Sequence, residues 1–331
     1  MKRRGFHKES TIADDSITAG KVSDRASEIA ADELESDNHS KNPARLRQRE
    51  YGRTGVKLSI IGFGGIVVDG AEQQHANRVV AEAFEKGVNY FDVSPTYGDA
   101  ELKLGPALEP YRKKVFLACK TGQRRREGAL NELNESLKRL RTDYLDLYQL
   151  HSITDVKDDV DAVFAKGGAI EVFLEAKKQG RIRYLGFSAH SEQAALAAMD
   201  RYDFDSVLLP INFASFYKGG FGARVIAAAQ SKGMAILALK SMARQQLPEG
   251  DPSHKQYPKC WYQPLTEREK ARLALYFTLS QPITAAIPPG EEPLFRMALD
   301  LALNFKPIST RDLEKVKEMA ESLNPIFQTE A

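Results

Sequence analysis

The apolar positions of this chain alternate between two periods. Short apolar runs read as strands: LSIIGFGG (58–65), NYFDV (89–93), VFLACK (115–120), YLDLYQLH (144–151), RYLGFSAH (183–190), SVLLPIN (206–212), AILALKSM (235–242) and TAAIPPG (284–290). Between them, apolar residues recur at helical spacing. Val79, Val80, Ala83 and Phe84 share one face of 72–87, which stops at Gly87, and Leu130, Leu133, Leu137 and Leu140 share one face of 128–141. Further helical segments stop at Gly180 and Gly233, and another opens at Ser191, a predicted N-cap. Strands that are apolar without interruption are those buried on both faces, as in a parallel sheet covered by helices. Eight strand–helix units with right-handed crossovers predict an α/β fold, a (β/α)8 TIM barrel forming a single domain over residues 49–331. A doubly wound open sheet is disfavoured, because no G-x-G-x-x-G follows the first strand. One stretch breaks the rhythm. ARQQLPEGDPSHKQYPKCWYQPLT (243–266) is long and irregular, and loops of that length inside compact domains are usually functional.

Residues 1–48 have a different composition, rich in charge, Ser, Ala and Asp and poor in large apolar side chains. Such a segment buries too little surface to offset its ordering entropy, so a disordered N-terminal extension is expected. Its start, Arg3-Arg4-Gly5-Phe6-His7-Lys8, resembles a twin-arginine export signal, but a polar stretch follows where an apolar region is required. The expected location is cytoplasmic, with periplasmic export through that degenerate start as the alternative. The 331 residues are 42% hydrophobic, and 47 basic against 45 acidic side chains leave a net charge of +2, so no global field favours nucleic acid or an anionic membrane. No apolar run approaches the roughly 18 residues of a spanning helix. Two cysteines, Cys119 and Cys260, and six scattered histidines give no disulfide framework and no metal-ligand spacing. No metal is expected, and the sequence sets no oligomeric state.

In a barrel, reactive groups sit at the C-terminal ends of the strands. Read in order, those ends supply Asp92, with Tyr97 in the loop that follows, then Lys120, then His151. A lysine ammonium beside a phenol stabilises phenolate and is expected to lower the tyrosine pKa from its usual value of about 10. Asp92 would hold Lys120 charged and aimed, Tyr97 would donate a proton, and His151 would orient a carbonyl oxygen. The set suits protonation of a developing alkoxide. No side chain supplies hydride, so a nicotinamide is implied. Cys119, one residue from Lys120, points to the other strand face and reads as a buried structural thiol.

YGRTGVKLSIIGFGG, FDVSPTYGDAELKLGPAL, VFLACKTG, ESLKRLRTDYLDLYQLH and GRIRYLGFSAH together resemble the aldo-keto reductase superfamily over residues 50–300. The resemblance implies a catalytic tetrad of Asp92, Tyr97, Lys120 and His151. It implies a small carbonyl substrate, an aldehyde or ketone, and NADPH as cofactor with NADH as the alternative. For that cofactor it points to Gly64 and Ser188, with Ala189 standing where the family has Asn. Asn212 is a substitute for a Gln that Pro210 has displaced. Leu239 and Lys240 occupy the place of a stacking aromatic, with Lys240 as a point charge for the pyrophosphate. Gly290 allows close approach of a phosphate to the backbone, and Arg296 serves either the adenosine phosphate or the helix surface. Glu291 and Glu292 argue against a phosphate close by. Tyr257, Trp261 and Tyr262 either wall a substrate pocket or anchor their loop. Arg124, Arg125 and Arg126 are either a solvated loop or an attraction for anions. The alternative of a different class is a non-catalytic nucleotide-binding or partner-binding barrel of the same ancestry.

Overall fold

The computed structural model describes residues 45–329. Its strands are β1 (Gln48–Glu50), β2 (Lys57–Ser59), β3 (Phe63–Gly64), β4 (Tyr90–Asp92), β5 (Phe116–Thr121), β6 (Leu145–Ile153), β7 (Ile182–Ala189), β8 (Ser206–Pro210), β9 (Ala235–Leu239), β10 (Ala243–Gln246), β11 (Tyr262–Pro264) and β12 (Ala285–Ile287). Eight of them form one parallel sheet in the order β12-β9-β8-β7-β6-β5-β4-β3. Its edges meet at a parallel bridge between Ile61 and Ala286. There Ala286 N donates to Ile60 O, and Gly62 N donates to Ala286 O, each at 2.9 Å. The chain is therefore a (β/α)8 barrel, with helices such as Gln73–Glu85, Arg126–Arg139, Ile170–Lys178 and Ala223–Ser231 packed outside. Ser191 caps the helix Glu192–Arg201 as its side chain accepts from Ala194 N.

The pleat sorts the strand residues into two cores. Phe91, Cys119, Tyr148 and Phe187 face outward into the helix layer. Tyr90, Ala118, Leu147, Leu208, Leu237 and Ile287 fill the interior. Two residues further along the same inward-facing series come Asp92, Lys120 and Gln149, all at most 2% exposed. A period of two thus carries the interior from apolar packing to a polar layer at the C-terminal end.

The expected strand 58–65 is divided. β2 pairs antiparallel with β1, and the hairpin turns through Gly55, whose φ of 74° suits glycine. Only Phe63–Gly64 joins the barrel sheet. Between the two, Gly62 passes the Tyr90 ring so closely that a Cβ would lie 2.5 Å from it. The hairpin leads into Tyr51, whose buried hydroxyl donates to Ser206 Oγ at 2.7 Å. The 243–266 segment is also more regular than its composition predicts, because β10 and β11 pair antiparallel across it.

Residues 45–48, grouped with the extension by composition, pack on the barrel: Leu46 is buried, and its N donates to Lys86 O at 3.0 Å. The twin-arginine-like start lies outside the described residues. Among the described residues no helix is long and apolar enough to cross a membrane.

Candidate active site

Asp92, Lys120 and His151 sit where β4, β5 and β6 reach the C-terminal end of the barrel. Lys120 is almost fully buried, and its ammonium is bound by Asp92 Oδ1 and by Val93 O at 3.2 Å. Gln149 Nε2 at 3.0 Å and the Tyr90 hydroxyl at 3.2 Å donate to the second oxygen of Asp92. Burial is the largest effect and disfavours the charged lysine, but Asp92 and Tyr97 together outweigh it and hold the Lys120 pKa above its ordinary value. The Lys120 Nζ lies 5.4 Å from the centre of the Tyr97 ring, and that ring meets His151 edge-on at 5.9 Å.

The expected lowering of the Tyr97 pKa is not met. Burial raises it above 10, and Lys120 offsets only part of that rise. The phenol is therefore protonated throughout the neutral range, which is the form a proton donor needs.

His151 is held neutral. Burial, then the charge of Lys120, push its pKa down to about 3. Its Nδ1 lies 3.1 Å from Ser94 Oγ. Ser94 Oγ accepts from Thr96 N at 3.3 Å and meets Thr96 Oγ1 at 2.9 Å. If Thr96 donates to Ser94 and Ser94 to Nδ1, the imidazole carries its proton on Nε2. The backbone at this point is irregular. The β6–β7 register shifts between Leu150 and Ile153, and Ser152 has a φ of 54°. Ser152 N donates to Ser188 Oγ at 2.7 Å. Arg124, which the sequence leaves as either solvated loop charge or an attraction for anions, instead binds His151 O at 2.8 Å and Asp159 at 2.7 Å.

A cavity at this end of the barrel is lined by all four of these groups together with Gly64, Ser188, Lys240, Gly290, Trp261 and Tyr262. Three predicted residues lie elsewhere. Asn212 is buried as the N-cap of Phe213–Tyr217, accepting from Ser215 N at 2.9 Å. Arg296 is engaged by Glu82 and by Glu292 Oε1 at 2.9 Å, so it sits in a surface ion-pair network. Tyr257 packs against the outer core.

Several lining residues were not singled out from sequence: Ile66, His190, Leu208 and Lys259. His190 continues the inward series of Gly186 and Ser188, so the strand period could have found it. Lys259 lies in a loop with no period to read.

The cavity suits a nicotinamide nucleotide. Gly64, Leu208, Leu239 and Ile287 give part of its wall without charge. At Gly290 the wall is main chain, because a Cβ there would meet Ile66 at 2.4 Å. The helix Glu292–Leu303 begins two residues later, with Glu291 as its N-cap and Glu292 in its first turn, so carboxylates already occupy that N-terminus. Lys240 and Gly290 follow the seventh and eighth barrel strands, the loops where such barrels frequently hold phosphate.

A model described as the aldo/keto reductase family matches residues 60–280. An uncharacterised oxidoreductase, YqkF of Bacillus subtilis, is 35% identical over 158 residues, 44% of this chain and 49% of that protein. The match to it thus spans about half of its length. L-galactose dehydrogenase of Arabidopsis thaliana is 25% identical over 305 residues, 87% of this chain and 90% of that protein. Among solved structures, the holo form of the aldo-keto reductase AKR11C1 from Bacillus halodurans superimposes with a TM-score of 0.67 at 22% identity. That superposition covers 86% of this chain and all of that one.

Proposed function

Since the chain belongs to the aldo/keto reductase family, we propose that it is an oxidoreductase that reduces an aldehyde or ketone to an alcohol. A bound NADPH, or NADH, supplies the hydride that no side chain can provide. The chain's own residues bind and orient the carbonyl and move one proton. The Nε2–H of neutral His151 donates a hydrogen bond to the carbonyl oxygen and draws negative charge onto it. Tyr97 gives its phenolic proton to that oxygen as the charge develops. The phenolate left behind is stabilised by the Lys120 ammonium, and Asp92 keeps that ammonium charged and aimed. Gly64, Ser188, Lys240 and Gly290 are the residues available to hold the nucleotide; Arg296 is already committed to carboxylates.

The observation that carries this reading is the buried Asp92–Lys120 pair beneath a phenol that stays protonated and a histidine that stays neutral. A barrel that only bound nucleotide would have no use for a lysine buried at this cost beside a proton donor.

The test is Tyr97→Phe, assayed on a panel of aldehydes and ketones with NADPH and NADH. The loss of kcat should be about 10²–10⁴-fold, with nucleotide affinity by fluorescence titration unchanged. Retention of nearly full turnover would end the proposal.

A further inference from the structure

The cavity holds three lysines and one carboxylate. Lys120 and Asp92 pair with each other, and Lys259 Nζ donates to Val67 O at 2.9 Å. Lys240 differs from both. Among the described residues no carboxylate and no hydrogen-bond acceptor meets its ammonium. Instead its Nζ lies 4.9 Å from the ring centres of both Trp261 and Tyr262. The backbone there is left-handed, with φ at 67°, a region disfavoured for residues with a Cβ. Strain of this kind persists where the surroundings fix a side chain in place. Burial lowers the Lys240 pKa to about 8, so the side chain is still mostly charged at neutral pH.

His190 lines the same cavity. Its Nδ1 lies 2.9 Å from Ser152 Oγ, and its ring packs on Phe327 with centres 5.0 Å apart. Burial and the nearby Lys240 charge bring its pKa down to about 4, so it is neutral. With Nδ1 engaged, Nε2 is the polar atom left for a ligand. Phe327 also touches Trp261 edge-on at 6.0 Å, which joins His190, Phe327 and Trp261 into one aromatic wall.

Resting on the carbonyl reduction proposed above, we propose that Lys240, with His190 beside it, receives a carboxylate of the substrate, so that the preferred substrates are aldehydes or ketones bearing an acid group on an apolar or aromatic body. An apolar body lies against Trp261 and Tyr262, the carbonyl turns to Tyr97 and His151, and the acid group meets Lys240, the cavity lysine that among the described residues has ring faces but no carboxylate or hydrogen-bond acceptor as partner. The charge of Lys240 is felt at His151 as well as at His190. It therefore acts beside the reacting carbonyl as well as along the phosphate-holding loops. The nucleotide's pyrophosphate is the other anion that could reach Lys240, and the experiment separates the two.

The experiment compares kcat/KM for 4-carboxybenzaldehyde and benzaldehyde in the wild type, Lys240→Met and Lys240→Arg. Calorimetric titration with benzoate and fluorescence titration with NADPH and NADH accompany the kinetics. A charge-assisted contact predicts that the wild type favours the carboxylated aldehyde by about 10- to 100-fold. That ratio should collapse toward one in Lys240→Met and return in large part in Lys240→Arg, and benzoate binding should follow the same order.

Equal kcat/KM for the two aldehydes in the wild type overturns the proposal and leaves carbonyl reduction standing. A Lys240→Met protein that binds nucleotide more weakly and loses both aldehydes in the same proportion also overturns it, and assigns Lys240 to the pyrophosphate. If neither aldehyde turns over but benzoate binding depends on Lys240, the acid-binding site stands and the reductase reading fails.

Discussion

Arg124 reaches from the loop after β5 to the end of β6, where its Nη2 holds the main-chain oxygen of His151 at 2.8 Å. Its Nε is bound in turn by Asp159 at 2.7 Å, with both side chains 16% exposed. The histidine is thus fixed from two sides, at the ring by Ser94 and at the backbone by a guanidinium. Arg124→Ala should lower kcat by up to about 100-fold, because small displacements of an orienting group are costly. Nucleotide affinity should be unchanged. Arg124→Lys keeps the charge but cannot bind two groups with one planar fork, so it should recover only part of the rate. Kinetics of the two variants beside Asp159→Asn check this; a fall in nucleotide affinity without a fall in kcat would remove Arg124 from the positioning of His151.

Asp92 and Lys120 should behave as one unit. Lys120→Met leaves a buried carboxylate with only Gln149 and Tyr90 as donors, a change that costs about 3–5 kcal/mol in comparable buried pairs. Asp92→Asn removes the charge opposite the buried ammonium and leaves it only neutral oxygen acceptors such as Val93 O. The double variant removes both charges and should cost clearly less than the sum, in stability and in kcat. Chemical denaturation and steady-state kinetics on the full cycle measure this. Additive losses would mean that Asp92 serves its strand end alone.

Two neutral histidines make the protein sensitive to mild acid. His151 and His190 have folded pKa values of about 3 and about 4, both below the unfolded value of 6.5. Below pH 6.5 the unfolded chain takes up protons that the folded chain does not. Stability is therefore complete above pH 6.5 and declines as pH falls through 6.5 toward the folded values. Before most carboxylates titrate, proton uptake on unfolding should rise from about half a proton at each site at pH 6.5 to nearly one at about pH 5. Urea denaturation at several pH values measures the slope, and His190→Asn should remove about half of the part due to this pair. A stability that is flat from pH 7 to 5 in the wild type would contradict the buried, neutral state of both rings.

How much of this was legible in the sequence follows from what each residue depends on. Asp92, Lys120 and His151 were readable because a strand end is a local property: an apolar run stops at a polar residue, and barrel geometry brings such ends together. Arg296 and Asn212 were less legible. Whether an arginine meets a ligand or a carboxylate depends on Glu82, 214 positions away, and no periodicity connects the two. Asn212 follows a strand, but the short helix after it claims its side chain as a cap. The position of Tyr97 was legible and its acidity was not, because burial competes with Lys120 and burial is a property of the whole fold. The first strand reads as continuous in the sequence because apolar residues at 58–61 serve a hairpin and a bridge as well as they would serve a barrel strand.

Residues 45–48 pack on the barrel although their composition groups them with the extension, and a pair of truncations reads this directly. Removing residues 1–44 leaves Leu46 and β1 in place, whereas removing residues 1–48 takes away Leu46, its bond to Lys86 and the start of the β1–β2 pairing. The longer truncation should lower the thermal midpoint relative to the shorter one. Burial of one leucine side chain alone is worth about 1.5–3 kcal/mol. Equal midpoints would show that the hairpin contributes nothing to the barrel.

The barrel is unevenly sewn. β6 and β7 pair from Leu145–Ile182 to Ile153–Ala189, while the junction between β3 and β12 rests on the two hydrogen bonds of a single alanine, Ala286. Amide protons near Ala286 should therefore exchange with solvent sooner than those in the middle of β6. The same junction carries Gly64, Ile287 and Gly290, which form part of the cavity wall. Asp92 borders this seam through its pairing with Gly64, whereas Lys120 and Gln149 pair directly across β5 and β6. Opening of the barrel is therefore expected to start around Gly64 and Ala286, while the pairing of Lys120 with Gln149 keeps the buried ammonium in place.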